Sequence, residues 1–115
     1  TCSQYGLPVK IINLNNRALG MVKQWQDMQY GGRYSSISYE DSLPDFVKLA
    51  ESFGHVGLKV EKFSELNAAM EEAFSLKDKL VFLDVLIDPD EHVYPMLEAG
   101  GSMSEMRISK KDKTF

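Results

Sequence analysis

Leu80-Val81-Phe82-Leu83-Asp84-Val85-Leu86-Ile87 is eight residues long and apolar everywhere except Asp84. A run this short, with so little alternation, reads as a strand, and its near-continuous apolar character suits one covered on both faces, as in a parallel sheet. Working outward, Leu66, Ala69, Met70, Ala73 and Phe74 keep a helical period behind Ser64, a candidate N-cap. Val56 to Glu61 reads as a short strand. Before it, Phe46, Leu49, Ala50 and Phe53 recur at helical spacing. The box-like Ser42-Leu43-Pro44-Asp45 starts that helix and Gly54 stops it. Arg33 to Asp41, rich in Ser and Tyr, reads as a surface loop. From Gly20, the residues Met21, Val22, Trp25 and Met28 share one face of a helix that Gly31-Gly32 would end. The β-branched run Val9 to Leu14, between Pro8 and the pair Asn15-Asn16, reads as a mostly buried strand. Beyond Asp88 the sequence has Pro89, Pro95 and Gly100-Gly101 and little apolar periodicity, which suggests an arm lying over something else. Strands alternating with helices predict an α/β fold, a layered parallel sheet with flanking helices and right-handed crossovers.

Composition narrows the function classes. The chain has 115 residues, 43% of them hydrophobic and 26% charged, which is enough to bury a core and excludes intrinsic disorder. Thirteen basic residues against 17 acidic give a net charge of −4, and only Lys110, Lys111 and Lys113 form a basic cluster, so no nucleic-acid partner is expected. The longest apolar run is far short of the roughly 20 residues of a membrane helix, and no membrane partner is expected. A single cysteine cannot form an internal disulfide, and with two histidines and no CxxC a zinc site is not expected. The opening Thr1-Cys2-Ser3-Gln4-Tyr5 has neither an initiator Met nor a targeting pattern and is read as a cut edge.

In open parallel sheets, ligands bind beyond the carboxyl ends of the strands, often with a phosphate at the following helix N-terminus. Asn15-Asn16-Arg17-Ala18-Leu19-Gly20 occupies that position. Amide and main-chain oxygens there are suitable company for Mg²⁺ when a diphosphate already brings negative charge; equally, two asparagines can simply serve a turn after a strand. Trp25 is either core or the wall of a pocket. His55 and His92 are expected to make local hydrogen bonds. Asp84, inside an apolar strand, needs a partner, either a helix N-terminus or a polar edge.

The stretch Ile12-Asn13-Leu14-Asn15-Asn16-Arg17-Ala18-Leu19-Gly20-Met21-Val22-Lys23-Gln24-Trp25-Gln26 resembles the end of the thiamine-diphosphate motif of acetohydroxyacid synthase (acetolactate synthase) catalytic subunits. The likeness runs on through Pro44-Asp45-Phe46, Leu49-Ala50-Glu51, Leu80 to Asp88, Val93-Tyr94-Pro95-Met96 and Gly100-Gly101. The Asn pair would fit many thiamine-diphosphate enzymes, whereas Gly-Met-Val-x-Gln-Trp-Gln is specific to this synthase.

The resemblance implies that Asn16 is a magnesium ligand, joined by the backbone carbonyl of Ala18. Gly20 and Met21 then line the diphosphate and thiazolium region, and Trp25 shapes the substrate pocket. Residues 1–88 become the C-terminal portion of the thiamine-diphosphate domain and 89–115 a tail or lid, with the polar stretch from Arg33 up to about Asp41 a mobile loop. The implied cofactors are thiamine diphosphate and Mg²⁺, with FAD bound mainly outside this segment. Implied partners are pyruvate, 2-ketobutyrate, the rest of a catalytic subunit, a second copy in a homodimer and a regulatory small subunit, in the cytoplasm. The family's Gly-Asp-Gly, about one βα unit upstream, does not precede Asn15 here, so the segment alone is expected to be inactive. Two alternatives stand beside this: another thiamine-diphosphate-dependent decarboxylase or carboligase, and a non-enzymatic α/β binding module. Three strands are also few for a sheet, and their open edges are expected to favour self-pairing.

Overall fold

The computed structural model describes residues 1–39 and 41–109; the cluster Lys110, Lys111 and Lys113 lies outside them. In chain order the elements are α1 (Cys2–Tyr5), β1 (Lys10–Asn15), α2 (Gly20–Tyr30), α3 (Phe46–Ser52), β2 (Val56–Val60), α4 (Leu66–Ser75) and β3 (Val81–Leu86). Single 3₁₀ turns occur at Phe63–Glu65 and Met103–Glu105. They form two units: Thr1–Ala18 with Tyr39–Asp88, and Leu19–Ser38 with the segment from Pro89.

The first unit is an α/β layer. Its three strands are all parallel, in the order β1-β3-β2, so the apolar run around Leu83 becomes the central strand. Residues in register share a face, and Leu58 with Leu83 and Val60 with Val85 make that face apolar. Leu66, Ala69 and Met70 pack on this face against the buried Val60, Leu83 and Val85. On the other face Phe46 of α3 stacks on Phe82, ring centroids 5.5 Å apart. A Cβ built on Gly57 would stand 2.7 Å from the Val47 Cα, so glycine in β2 is what lets α3 approach.

The helix signals hold in part at α3: the box-like stretch does start the helix, but Asp45 rather than Ser42 is the N-cap, its carboxylate accepting a hydrogen bond from the Lys48 amide at 3.1 Å. They differ further at α4. Ser64 lies inside the 3₁₀ turn and does not cap the helix; instead the Glu65 carboxylate reaches back to the amides of Glu61 and Lys62 at 3.0 and 3.1 Å. The far end of α4 is held by Lys10, whose Nζ donates to the Leu76 carbonyl at 2.8 Å.

A further expectation is corrected. The Val9 to Leu14 run is not mostly buried: β1 is an edge strand, and Ile11, Ile12 and Leu14 are exposed because α3 and α4 cover β2 and β3. Cys2–Tyr5 form a helical turn ended by Gly6 in the left-handed region (φ 60°).

In the second unit α2 ends at Gly31, also left-handed (φ 59°). Its buried residues are Lys23 and Gln24, 8% and 1% exposed, whereas Met21 and Val22, expected on the core face, are 48% and 44% exposed.

Candidate functional site

The chemistry expected of Asn16 begins with Asp84. On β3 this buried carboxylate is in register with Asn13 of β1. Asn13 Nδ2 donates to its Oδ1 at 2.7 Å and Asn15 Nδ2 to its Oδ2 at 3.2 Å. Alternate residues of a strand face the same way, so two asparagines two apart can grip one carboxylate on the neighbouring strand. Asp84 thus has partners of a third kind, side-chain amides across the sheet.

That grip fixes the start of the following turn. Asn15 Oδ1 accepts the Arg17 amide at 3.0 Å, and Asn16 Oδ1 accepts the Ala18 amide at 3.1 Å. These are consecutive Asx turns. Between them Arg17 adopts φ 56°, a left-handed conformation that a non-glycine residue holds only when its surroundings require it. The Asn15 carbonyl is tied to the Ile87 amide at 3.1 Å, and the Arg17 carbonyl to the Tyr39 amide at 3.0 Å. Asn16 and Ala18 are therefore brought together in one hydrogen-bonded turn at the carboxyl end of β1. An amide oxygen has two acceptor directions, and the Ala18 bond uses one of them at Asn16.

Gly20, Met21 and Trp25 belong to the second unit, all on α2. Gly20 opens the helix behind Leu19, whose amide bonds the Ile37 carbonyl at 3.0 Å. Leu19 provides no side-chain cap, so the first amides of α2 are not engaged by their own N-cap. Met21 is exposed and Trp25 half-buried.

The buried face of α2 is polar and fully used. Lys23 Nζ contacts Asp90 Oδ1 at 2.5 Å, Tyr34 Oη at 3.1 Å and Asp27 Oδ2 at 3.3 Å, and lies 4.8 Å from the Tyr34 ring centre. Burial alone would favour the neutral amine, but the bonds to Asp90, Tyr34 and Asp27 outweigh it and hold the ammonium above its ordinary pKa. Asp27 has the opposite balance. Burial would raise its pKa, yet Tyr34, Lys23 and His92 together keep it below the usual carboxylate value. His92 Nε2 stands 2.8 Å from Asp27 Oδ2, a local polar contact of the kind expected of it.

Both glutamines flanking Trp25 also bond main chain. Gln24 Nε2 donates to the Val93 carbonyl at 2.9 Å while its Oε1 accepts the Val93 amide at 2.9 Å. Gln26 does the same at Ser35, donating at 3.3 Å and accepting at 3.0 Å. Past Val93 the arm closes on itself through paired main-chain bonds between Met96 and Arg107, both 2.8 Å, and the Arg107–Glu98 ion pair at 2.7 Å. Lys23 and Asp27 are not among the residues singled out from the sequence, although their i, i+4 spacing could have marked them as a pair; their partners at Tyr34, Asp90 and His92 are distant in sequence and carried no signal.

The donor set at the β1 turn can be tested against a magnesium ion. Mg²⁺ takes six oxygens and accepts neutral ones when phosphate carries the negative charge. The Asn16 amide oxygen and the Ala18 carbonyl are of that type and share one turn, so they fit. Among the described residues no three His, Cys, Asp or Glu side chains converge on a further metal centre.

Comparison with known proteins places these observations. Residues 1–85 match the family model described as "Thiamine pyrophosphate enzyme, C-terminal TPP binding domain". The chain is 60% identical over 110 residues to a protein named acetolactate synthase large subunit from Haemophilus influenzae, covering 96% of this chain and 19% of that protein. It is 55% identical over 116 residues to acetolactate synthase isozyme 3 large subunit of Escherichia coli, covering 99% and 20%. It is 39% identical over 113 residues to an acetolactate synthase of Mycobacterium bovis, covering 96% and 18%. The chain spans about a fifth of the length of these relatives.

Proposed function

This chain belongs to the thiamine pyrophosphate enzymes, through their C-terminal TPP-binding domain, and from that membership we propose that it serves as part of an acetolactate synthase catalytic subunit. The reaction is loss of CO₂ from pyruvate and joining of the remaining two-carbon unit to a second pyruvate or to 2-ketobutyrate, in branched-chain amino acid synthesis. Thiamine diphosphate, when bound, supplies the electron sink that loss of CO₂ from a 2-ketoacid requires.

In this reading Asn16 Oδ1 and the Ala18 carbonyl hold Mg²⁺ against the diphosphate, with the Asp84–Asn15 grip fixing their turn. Gly20 and Met21, at the start of α2, lie along the diphosphate and thiazolium, where uncapped helix amides favour negative charge. Trp25 offers an indole wall to the second 2-ketoacid. Residues from Pro89 act as a lid that excludes water, and the polar stretch from Arg33 to about Asp41 as a mobile loop beside it. FAD bound elsewhere in the subunit, a homodimer, a regulatory small subunit and a cytoplasmic location belong to the same proposal, supported by the likeness to the synthase large subunits.

The observation that carries the reading is the 55–60% identity to large subunits across nearly the whole chain, combined with the Asn15-Asn16-Arg17-Ala18 turn. The test is product analysis of the complete protein with pyruvate, thiamine diphosphate and Mg²⁺. Acetolactate is expected. Release of acetaldehyde without acetolactate would assign the chain to a decarboxylase instead.

A further inference from the structure

Gln24 and Gln26 each use both ends of a side-chain amide on one residue's main chain, Val93 in the arm and Ser35 in the loop after α2. A glutamine that pairs with the N–H and C=O of one residue imitates a strand neighbour, and it holds a segment in register as well as in place. Successive helix residues are turned by 100°, so the two amides leave α2 on either side of Trp25. Gln24 is 1% exposed, and its amide also lies 2.9 Å from the Met96 sulfur. The polar residues of Gln24-Trp25-Gln26 are therefore fully used, while the indole between them bonds nothing by hydrogen bond among the described contacts and is half-buried.

We propose that Gln24 and Gln26 are positioning residues for Trp25, two amide clamps that hold the arm and the post-α2 loop on either side of the indole. This rests on the reading of Trp25 as the wall that selects the second 2-ketoacid. An indole held between two fixed segments presents one face at one angle, which discrimination by a single methylene requires. With either segment released, the wall would remain but its placement would be lost. The Lys23–Asp90 contact, at 2.5 Å, still ties the start of the arm when Gln24 is changed, so the effect of each clamp is local.

Trp25 is the only tryptophan in the chain, so fluorescence of the 115-residue chain reports on this position alone. Gln24→Met and Gln26→Met keep side-chain length and remove both bonds. Each is expected to raise acrylamide quenching of Trp25 by about twofold and to speed amide exchange about tenfold at its own partner, Val93 or Ser35, with the other partner unchanged. Gln26→Glu keeps the acceptor at a partly exposed site and should give intermediate exchange at Ser35, and the circular dichroism spectrum should be unaltered in this variant and in both Met variants, separating loss of a clamp from failure to fold. In the complete subunit, the double Met variant should lower the preference for 2-ketobutyrate over pyruvate about threefold while CO₂ release stays within about twofold. Unchanged quenching and exchange would overturn the clamps. Faster exchange with an unchanged product ratio would overturn their positioning role. A wild-type subunit that forms no acetolactate would sink the synthase reading, while exchange and quenching would still decide the clamps.

Discussion

A carboxylate 5% exposed in the central strand of a sheet is costly unless its oxygens are bonded, and at Asp84 both are, by Asn13 and Asn15. The second of these is also the residue that starts the turn holding Asn16 and Ala18. Asp84 therefore acts at two levels, as a satisfied core charge and as the anchor of the candidate magnesium turn. Asp84→Asn keeps the shape but turns an amide N–H₂ toward one of the two donors, leaving it without an acceptor. A loss of about 1–3 kcal/mol in unfolding free energy is expected, read from the urea midpoint, and an unchanged midpoint would contradict the pairing. At Trp25 the consequence is selective. Leucine keeps an apolar wall and gives up much of the indole's contact area. Since recognition of one methylene amounts to about 1–3 kcal/mol, Trp25→Leu in the complete subunit should shift products from mixed 2-ketoacids away from 2-ketobutyrate more than it slows turnover. An unaltered product ratio would remove Trp25 from that role. The sequence marked Asn15, Asn16 and Trp25 by type and place, but the Asp84 pairing needs the β1–β3 register, which no local pattern carries. The left-handed Arg17 is likewise set by bonds on both sides of it, since arginine has no preference for that conformation.

At the scale of elements, legibility followed the physics of each signal. The strands at Lys10–Asn15, Val56–Val60 and Val81–Leu86 were visible because apolar or β-branched runs bounded by turns are local properties. The stops at Gly31 and Gly54 were visible because both glycines sit at positive φ, 59° and 77°. What failed was the inward face of α2. Periodicity pointed to Met21, Val22, Trp25 and Met28, yet Lys23 and Gln24 are the buried pair, since polar groups can be buried wherever distant partners bond them. The edge position of β1 was hidden for a similar reason: composition does not say which strand lies in the middle. The polar face of α2 has a pH signature. Asp27's folded pKa lies below its ordinary 3.8, so it contributes stability above that value and loses the contribution as pH falls through the folded pKa. Lys23 is raised, so its contribution is full below its ordinary 10.5 and is lost progressively as pH rises from there through the higher folded value. Between these two limits neither contribution changes. Unfolding free energy should be constant from pH 8 to about 5 and decline below about 4, with a smaller decline in Asp27→Asn. An equal decline in both proteins would place the acid sensitivity elsewhere.

Over the whole molecule two quantities are set by what the described residues expose and offer. Ile12, Leu14, Phe63, Leu66, Met70 and Ile87 line an open apolar groove of about 640 Å³ in the first unit, with Phe63 90% and Leu14 64% exposed. Together with the unpaired edge of β1, this favours association of the isolated chain. Sedimentation should show the weight-average mass rising between about 1 and 100 µM, a range in which exposed edges and apolar surface commonly drive association, and a constant monomer mass would count against it. The second quantity is cofactor affinity. Asn16 and Ala18 offer a magnesium ion two neutral oxygens of the six it requires, and the phosphate of a bound cofactor would have to supply much of the remainder. A neutral pair pays little to be desolvated but also gains little from the ion's charge, so neither Mg²⁺ nor thiamine diphosphate is held strongly by this turn without carboxylate help. Calorimetry of the 115-residue chain with both present should give a Kd weaker than about 1 mM, corresponding to less than about 4 kcal/mol of binding free energy. Removing Mg²⁺ from such a mixture should leave thermal stability unchanged, because a ligand far below its Kd stabilises almost nothing. Micromolar binding, or a melting temperature that falls with chelator, would mean that side chains of this chain complete the site.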